Sequence, residues 1–164
     1  MRNFDVNGLR LAEFQGKIFE YSYDYFNCST SIFMRRFYYS NYLKLLDKND
    51  SSILSLDPYE ALDNINNQFG DKNYGIIKKN KESLFWVGYF YRYISYTRNV
   101  NTKFLMKIFK YEKMFELYYI YHTQDMEWCI ENLLELYGYD EKIFDPNDRL
   151  RKVIRQKYKL ISVN

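Results

Sequence analysis

The stretch from Glu82 to Arg98 constrains this chain most. It reads Glu82-Ser83-Leu84-Phe85-Trp86-Val87-Gly88-Tyr89-Phe90-Tyr91-Arg92-Tyr93-Ile94-Ser95-Tyr96-Thr97-Arg98. Wound as an α-helix, it carries apolar groups on nearly every side, and a helix that is apolar all round belongs at the centre of a protein. Trp86, Phe90 and Ile94 recur at helical spacing and are expected in the core. Gly88 costs about 1 kcal/mol relative to alanine inside a helix. Close approach of a second helix is the expected reason for it.

The rest of the chain punctuates into further helices. Leu11, Phe14, Ile18, Tyr21 and Tyr25 recur at helical steps, which predicts a helix over roughly 9–26. Asn27 to Ser31 offers several caps for a second helix, which continues or restarts at Ser40 and runs to about Asp47. Asp57-Pro58-Tyr59-Glu60 is the clearest start signal: a capping acid, a proline suited to the first turn and a glutamate in capping-box position. Gly70 is the natural stop. Short helices follow over about 103–109 and 112–121. Another runs over about 124–137, with Thr123 as its cap and Gly138 as its end, and Asp145-Pro146 opens a basic C-terminal helix over about 146–158. The fold class read from these signals is all-α, with about six to eight helices and room for a minor β-hairpin at 74–78 and 105–110, where Tyr, Phe and Ile raise β-propensity.

Length and composition fit one helical domain over 1–164. Hydrophobic residues at 47% are enough to build a core, and two prolines with six glycines leave little material for a linker. Charged residues at 27% exclude a disordered composition. No apolar run approaches the roughly 20 residues a membrane helix needs. The start, Met1-Arg2-Asn3-Phe4-Asp5, lacks the apolar core of a signal peptide, so the expected compartment is the cytoplasm and no membrane partner is expected. Cys28 and Cys129 stand far apart without a CxxC partner, and two cysteines with one histidine do not supply a metal site. They read as free, packed thiols, and no cofactor is expected.

Candidate functional residues are few, and binding is favoured over catalysis. His122, the single histidine, sits at a helix boundary, and its plainer role is a structural hydrogen bond. Arg92 and Arg98 interleave with aromatics, which suits a nucleotide or single strand. The favoured reading is a core helix whose arginines pair with acids such as Glu82, Glu127 or Glu131. Of the adjacent Arg35 and Arg36, helix geometry is expected to turn one inward towards an acid and leave the other solvated. The net charge of +3 is too small to diagnose nucleic-acid binding. It is unevenly spread: Arg149 to Lys159 holds six bases and no acid, which makes Arg151, Lys152 and Arg155 candidate contacts. The 19 tyrosines and 13 phenylalanines accord with an AT-rich genome, yet tyrosine-rich faces also suit interfaces.

Three stretches carry a resemblance: Ser31-Ile32-Phe33-Met34-Arg35-Arg36-Phe37 with Leu46-Asp47; Leu84-Phe85-Trp86-Val87-Gly88-Tyr89-Phe90-Tyr91-Arg92-Tyr93; and Tyr121-His122-Thr123-Gln124-Asp125. Their order and spacing resemble a family of small, uncharacterised bacterial proteins associated with toxin–antitoxin or phage-defence operons. The resemblance implies an antitoxin-like neutraliser or accessory protein that binds a protein partner, such as a cognate toxin. It brings no site residues with it. The alternative is a nucleic-acid-binding regulator that uses the basic C-terminal helix. A nucleotide-handling enzyme built on Arg92, Arg98 and His122 ranks third.

Overall fold

Two helices meet almost backbone to backbone. α1 (Val6–Tyr25) and α5 (Lys81–Arg98) pack antiparallel along their lengths. A Cβ added at Gly88 would stand 2.8 Å from the Gln15 backbone oxygen and from the Phe19 ring. On α1, one at Gly16 would meet the Phe85 ring at 2.8 Å, and one at Gly8 the Tyr96 ring at 2.7 Å. Gly88 is therefore where the helices close on each other, as its placement in an apolar helix predicted.

The computed structural model describes residues 1–70 and 74–149. Among them are eight α-helices, two short 3-10 helices and no strand, so the chain is all-α. None of these helices is long and apolar enough to cross a membrane. The chain divides into two compact units, Met1–Thr123 and the part from Gln124 onward.

In the first unit α5 is the core. It buries Trp86 and Val87, and every residue from Phe90 to Thr97. Asn80 caps it through a 2.8 Å bond from the Ser83 N–H, and Asn99 ends it in the left-handed conformation at φ 50°. α1 is capped by Asp5, which accepts from the Gly8 N–H at 2.9 Å. It buries Leu11, Phe14, Ile18 and Phe19 at helical spacing.

α2 (Thr30–Tyr39) and α3 (Asn41–Leu46) are separated by Ser40 alone. The Ser40 hydroxyl donates to Phe37 O at 2.8 Å and accepts from the Leu43 N–H at 3.1 Å, closing one helix and capping the next. A 3-10 helix (Ser51–Ser55) leads to α4 (Pro58–Phe69). There Asp57 accepts from the Tyr59 N–H at 2.7 Å, and Gly70 stops the helix at φ 74°. α6 (Thr102–Ile108) and α7 (Tyr111–Tyr121) then pack against α5.

The β-hairpin does not form. Residues 105–108 belong to α6, and 74–80 has no regular structure. The first N–H groups of a helix have no acceptor of their own. At α2, Tyr74 O accepts from the Ser29 N–H at 3.3 Å and Ile77 O from the Thr30 N–H at 3.0 Å, so the backbone of 74–80 serves a helix end instead of a ladder. Gly75, at φ 73°, lies where a Cβ would stand 2.6 Å from the Ser29 hydroxyl. On the far side, the Lys78 ammonium donates to Tyr23 O and to Phe26 O at the end of α1.

In the second unit α8 (Met126–Leu136) starts later than the sequence suggested. Its cap is Asp125, not Thr123: the carboxylate accepts from the N–H groups of Glu127 and Trp128 at 2.9 and 3.2 Å. Gly138 ends the helix at φ 67°, with Tyr139 N bonded to Leu134 O in a Schellman arrangement. A 3-10 helix (Glu141–Phe144) follows. Residues 146–149 are helical, and the remainder of the expected basic helix lies outside the described residues.

Candidate functional site

Arg92 is fully buried on α5 and gives every donor it has to the protein. Nε donates to Gln15 Oε1 at 2.9 Å, and Nη1 to Leu46 O, Asn49 Oδ1 and Ser95 Oγ at 2.7, 3.0 and 3.3 Å. Nη2 bonds Asp47 Oδ1 and Thr102 Oγ1, both at 3.1 Å. Its acid is thus Asp47 at the end of α3, rather than Glu82, Glu127 or Glu131. Burial works against the guanidinium charge and pushes its pKa down, while the Asp47 carboxylate works the other way. Asp47 also accepts from the Thr102 hydroxyl at 2.6 Å and from the Thr102 N–H at 3.1 Å. The arrangement is a structural knot of α1, α3, α5 and α6, and its five N–H groups are already committed to six acceptors.

The other residues read from the sequence lie apart from it. Arg98 is half-buried at the end of α5, with Nη1 bonded to Thr97 Oγ1 at 3.0 Å. His122 is exposed at the end of α7, where Nδ1 lies 2.9 Å from Tyr118 O and the imidazole sits on the Tyr118 ring. No hydrogen bond or ring contact joins any two of Arg92, Arg98 and His122. Arg151, Lys152 and Arg155 lie outside the described residues. Cys28 and Cys129 are buried. Burial, with help from the Asp125 charge, pushes the Cys129 thiol up to about 11, well away from a reactive thiolate. Among the described residues no three His, Cys, Asp or Glu side chains gather as a metal site.

A groove runs along α2. Ser31, Arg35, Tyr38 and Tyr39 line one wall, at positions that share a helix face. Met106, Lys110, Tyr111 and Glu112, from α6 and the start of α7, line the other. Met34 and Met106, both buried, form the apolar part of the lining. The groove encloses about 630 Å³. The Lys103 ammonium lies 5.3 Å from the Tyr38 ring centre and 5.9 Å from that of Tyr39, placing a fixed positive charge beside two aromatic faces. Tyr39 is 57% exposed.

Ser31, Tyr111 and Glu112 are shared with a second cleft, of about 330 Å³, which runs on past Lys79, Phe115 and Glu116. Burial and a hydrogen bond to the adjacent Glu112 carboxylate push the Tyr111 phenol up to about 12, so its proton stays on at neutral pH and is held by Glu112. Of the two adjacent arginines, Arg35 is exposed in the groove and Arg36 is buried with its guanidinium over the Phe26 ring. The sequence anticipated this split but not the groove. A stripe at 31, 35, 38 and 39 was visible in the sequence, while the facing wall comes from a distant part of the chain.

Comparison of the chain with protein-family models, with curated proteins and with solved structures finds no match.

Proposed function

We propose that this chain is a protein-binding module, an antitoxin-like neutraliser or accessory protein as its resemblance implies, and that it engages its partner through the α2 groove. The observation that carries the reading is the stripe of exposed Arg35 and Tyr39 with half-buried Tyr38, facing Met106, Lys110 and Tyr111. Tyrosine, arginine and methionine are the residue types that protein interfaces enrich, and tyrosine supplies large contact area with few rotatable bonds. The alternative chemistry is weakly supported: the Arg92 donors are all used inside the fold, and His122 closes a helix.

The test is to express the chain together with the neighbouring genes of its native operon and identify what co-purifies at fixed stoichiometry. Affinity is then measured for Tyr39→Ala and Arg35→Glu, both surface changes. If the partner is a toxin, the intact chain restores growth and the variants do so poorly. Unchanged affinity in both variants would remove the groove from the reading. Sequence-selective nucleic-acid binding at physiological salt, lost when Arg151, Lys152 and Arg155 become Gln, would favour the regulator instead.

A further inference from the structure

We infer that the α2 groove receives a short acidic segment of a partner protein, with its carboxylates on Arg35 and Lys110 and an apolar side chain against the Tyr38 and Tyr39 rings. The inference rests on the protein-binding reading and names the chemistry of the partner. Arg35 and Lys110 line the groove, with Glu112 as the one acid in its lining, and Lys103 adds a third positive charge beside it, over the Tyr38 and Tyr39 rings. Arg35 and Lys110 are solvent-exposed, so they can take new partners without unmaking the core. The guanidinium of Arg35 suits two-pronged contact with a carboxylate. The exposed ring of Tyr39 and the half-buried ring of Tyr38 in the same lining offer surface to an aliphatic or aromatic anchor.

Cations beside exposed tyrosines also fit a single nucleic-acid strand. The continuation of the groove argues against that occupant. A strand leaving along the second cleft would run its phosphates past the Glu112 carboxylate and past Glu116, itself paired with Lys113 at 2.8 Å, with Lys79 as the one cation in that lining. Like charges set against each other are strongly unfavourable at an interface. A peptide can be acidic at one end and neutral or basic at the other, which matches the change of sign along the groove.

The experiment uses the full chain at physiological salt with three fluorescein-labelled probes. One is a short peptide alternating glutamate with tryptophan, the second is its lysine-for-glutamate analogue, and the third is an oligothymidine of equal length. Binding is followed by anisotropy and located by backbone amide shifts. The acidic peptide is expected to bind and to shift amides of α2 and α6. Arg35→Glu and Lys110→Glu are each expected to weaken it on the order of tenfold, while Lys17→Glu, an exposed change on α1, leaves it unaltered. Tighter binding of the oligothymidine, lost in the same variants, would assign the groove to nucleic acid and overturn the inference. Failure of the acidic peptide to shift groove amides would overturn it as well. Co-purification separates the two levels. An operon partner that still follows the Arg35→Glu, Lys110→Glu double variant leaves the module reading standing and removes the groove. Absence of any partner for the unaltered chain removes the module reading itself.

Discussion

The backbone oxygen of Gln15 lies 2.8 Å from the point where a side-chain carbon on Gly88 would begin, and the Gln15 amide donates to Gly88 O at 2.9 Å. Alanine at this position would gain about 1 kcal/mol of helix propensity. It would lose more, because the obstructing atom is backbone and α1 would have to move. Gly88→Ala is expected to destabilise the fold by about 1–3 kcal/mol. Gly16→Ala meets only the half-buried Phe85 ring, which can swing, and is expected to cost less. Urea midpoints of the two variants give the order directly, and the reverse order would contradict the contact described.

Removing Asp47 would strip a buried guanidinium of its counter-charge. Asp47→Ala is expected to cost about 3–5 kcal/mol, as for other buried pairs broken on one side. Asp47→Asn keeps an oxygen for the Thr102 N–H and for Arg92, and should cost less. Chemical denaturation of both variants tests this. Equal losses would mean that the charge, and not the acceptor atom, is what matters.

The phenol of Tyr42 is buried and has no hydrogen-bond partner among the described residues. Burial, with the Glu60 charge, pushes its pKa up to about 12. Tyr42→Phe removes this hydroxyl and keeps the ring, and is expected to be neutral or stabilising by up to about 1 kcal/mol. A thermal melt of the variant checks it. A clear drop would point to a polar role for the phenol.

Asp5 has a carboxyl pKa held below the ordinary aspartate value, first by the Tyr96 hydroxyl at 2.6 Å and then by the Gly8 N–H. A lowered folded-state pKa gives stability that is present above the unfolded value, about 3.9, and lost as pH falls through the folded one. The start of α1 should therefore keep its protection through mild acid and loosen only below that range. Asp5→Asn should loosen it at neutral pH. The Asp5 carboxyl shift and Gly8 amide exchange, followed by NMR, test the sign, and an inflection above the ordinary aspartate value would refute it.

What the sequence disclosed was local. Asp57, Pro58 and Gly70 bound α4 as read, because caps and stops act on their immediate neighbours. The central place of α5 followed from apolar residues on all its sides, and Gly88 from the cost of a glycine there. What it withheld was tertiary. Asp47 is distant in sequence from the arginine it neutralises, so nearer and more conspicuous glutamates drew the pairing. The isoleucines at 76 and 77 suggested a strand, yet they are 93% and 76% exposed, and the backbone beside them is claimed by the start of α2. The groove needed two walls from separate parts of the chain, and no spacing rule links Arg35 to Tyr111.

The Arg92 knot also bears on how this unit comes apart. Its acceptors arrive from residues 15, 46, 47, 49, 95 and 102. A half-assembled state that has closed around α5 without α1 or without the start of α6 holds a charge away from water with part of its shell missing, which is costly. Such states are raised in energy relative to both the open chain and the finished fold. One side chain thereby makes partial disassembly unfavourable, and these four helices are set to be lost together in a single cooperative step.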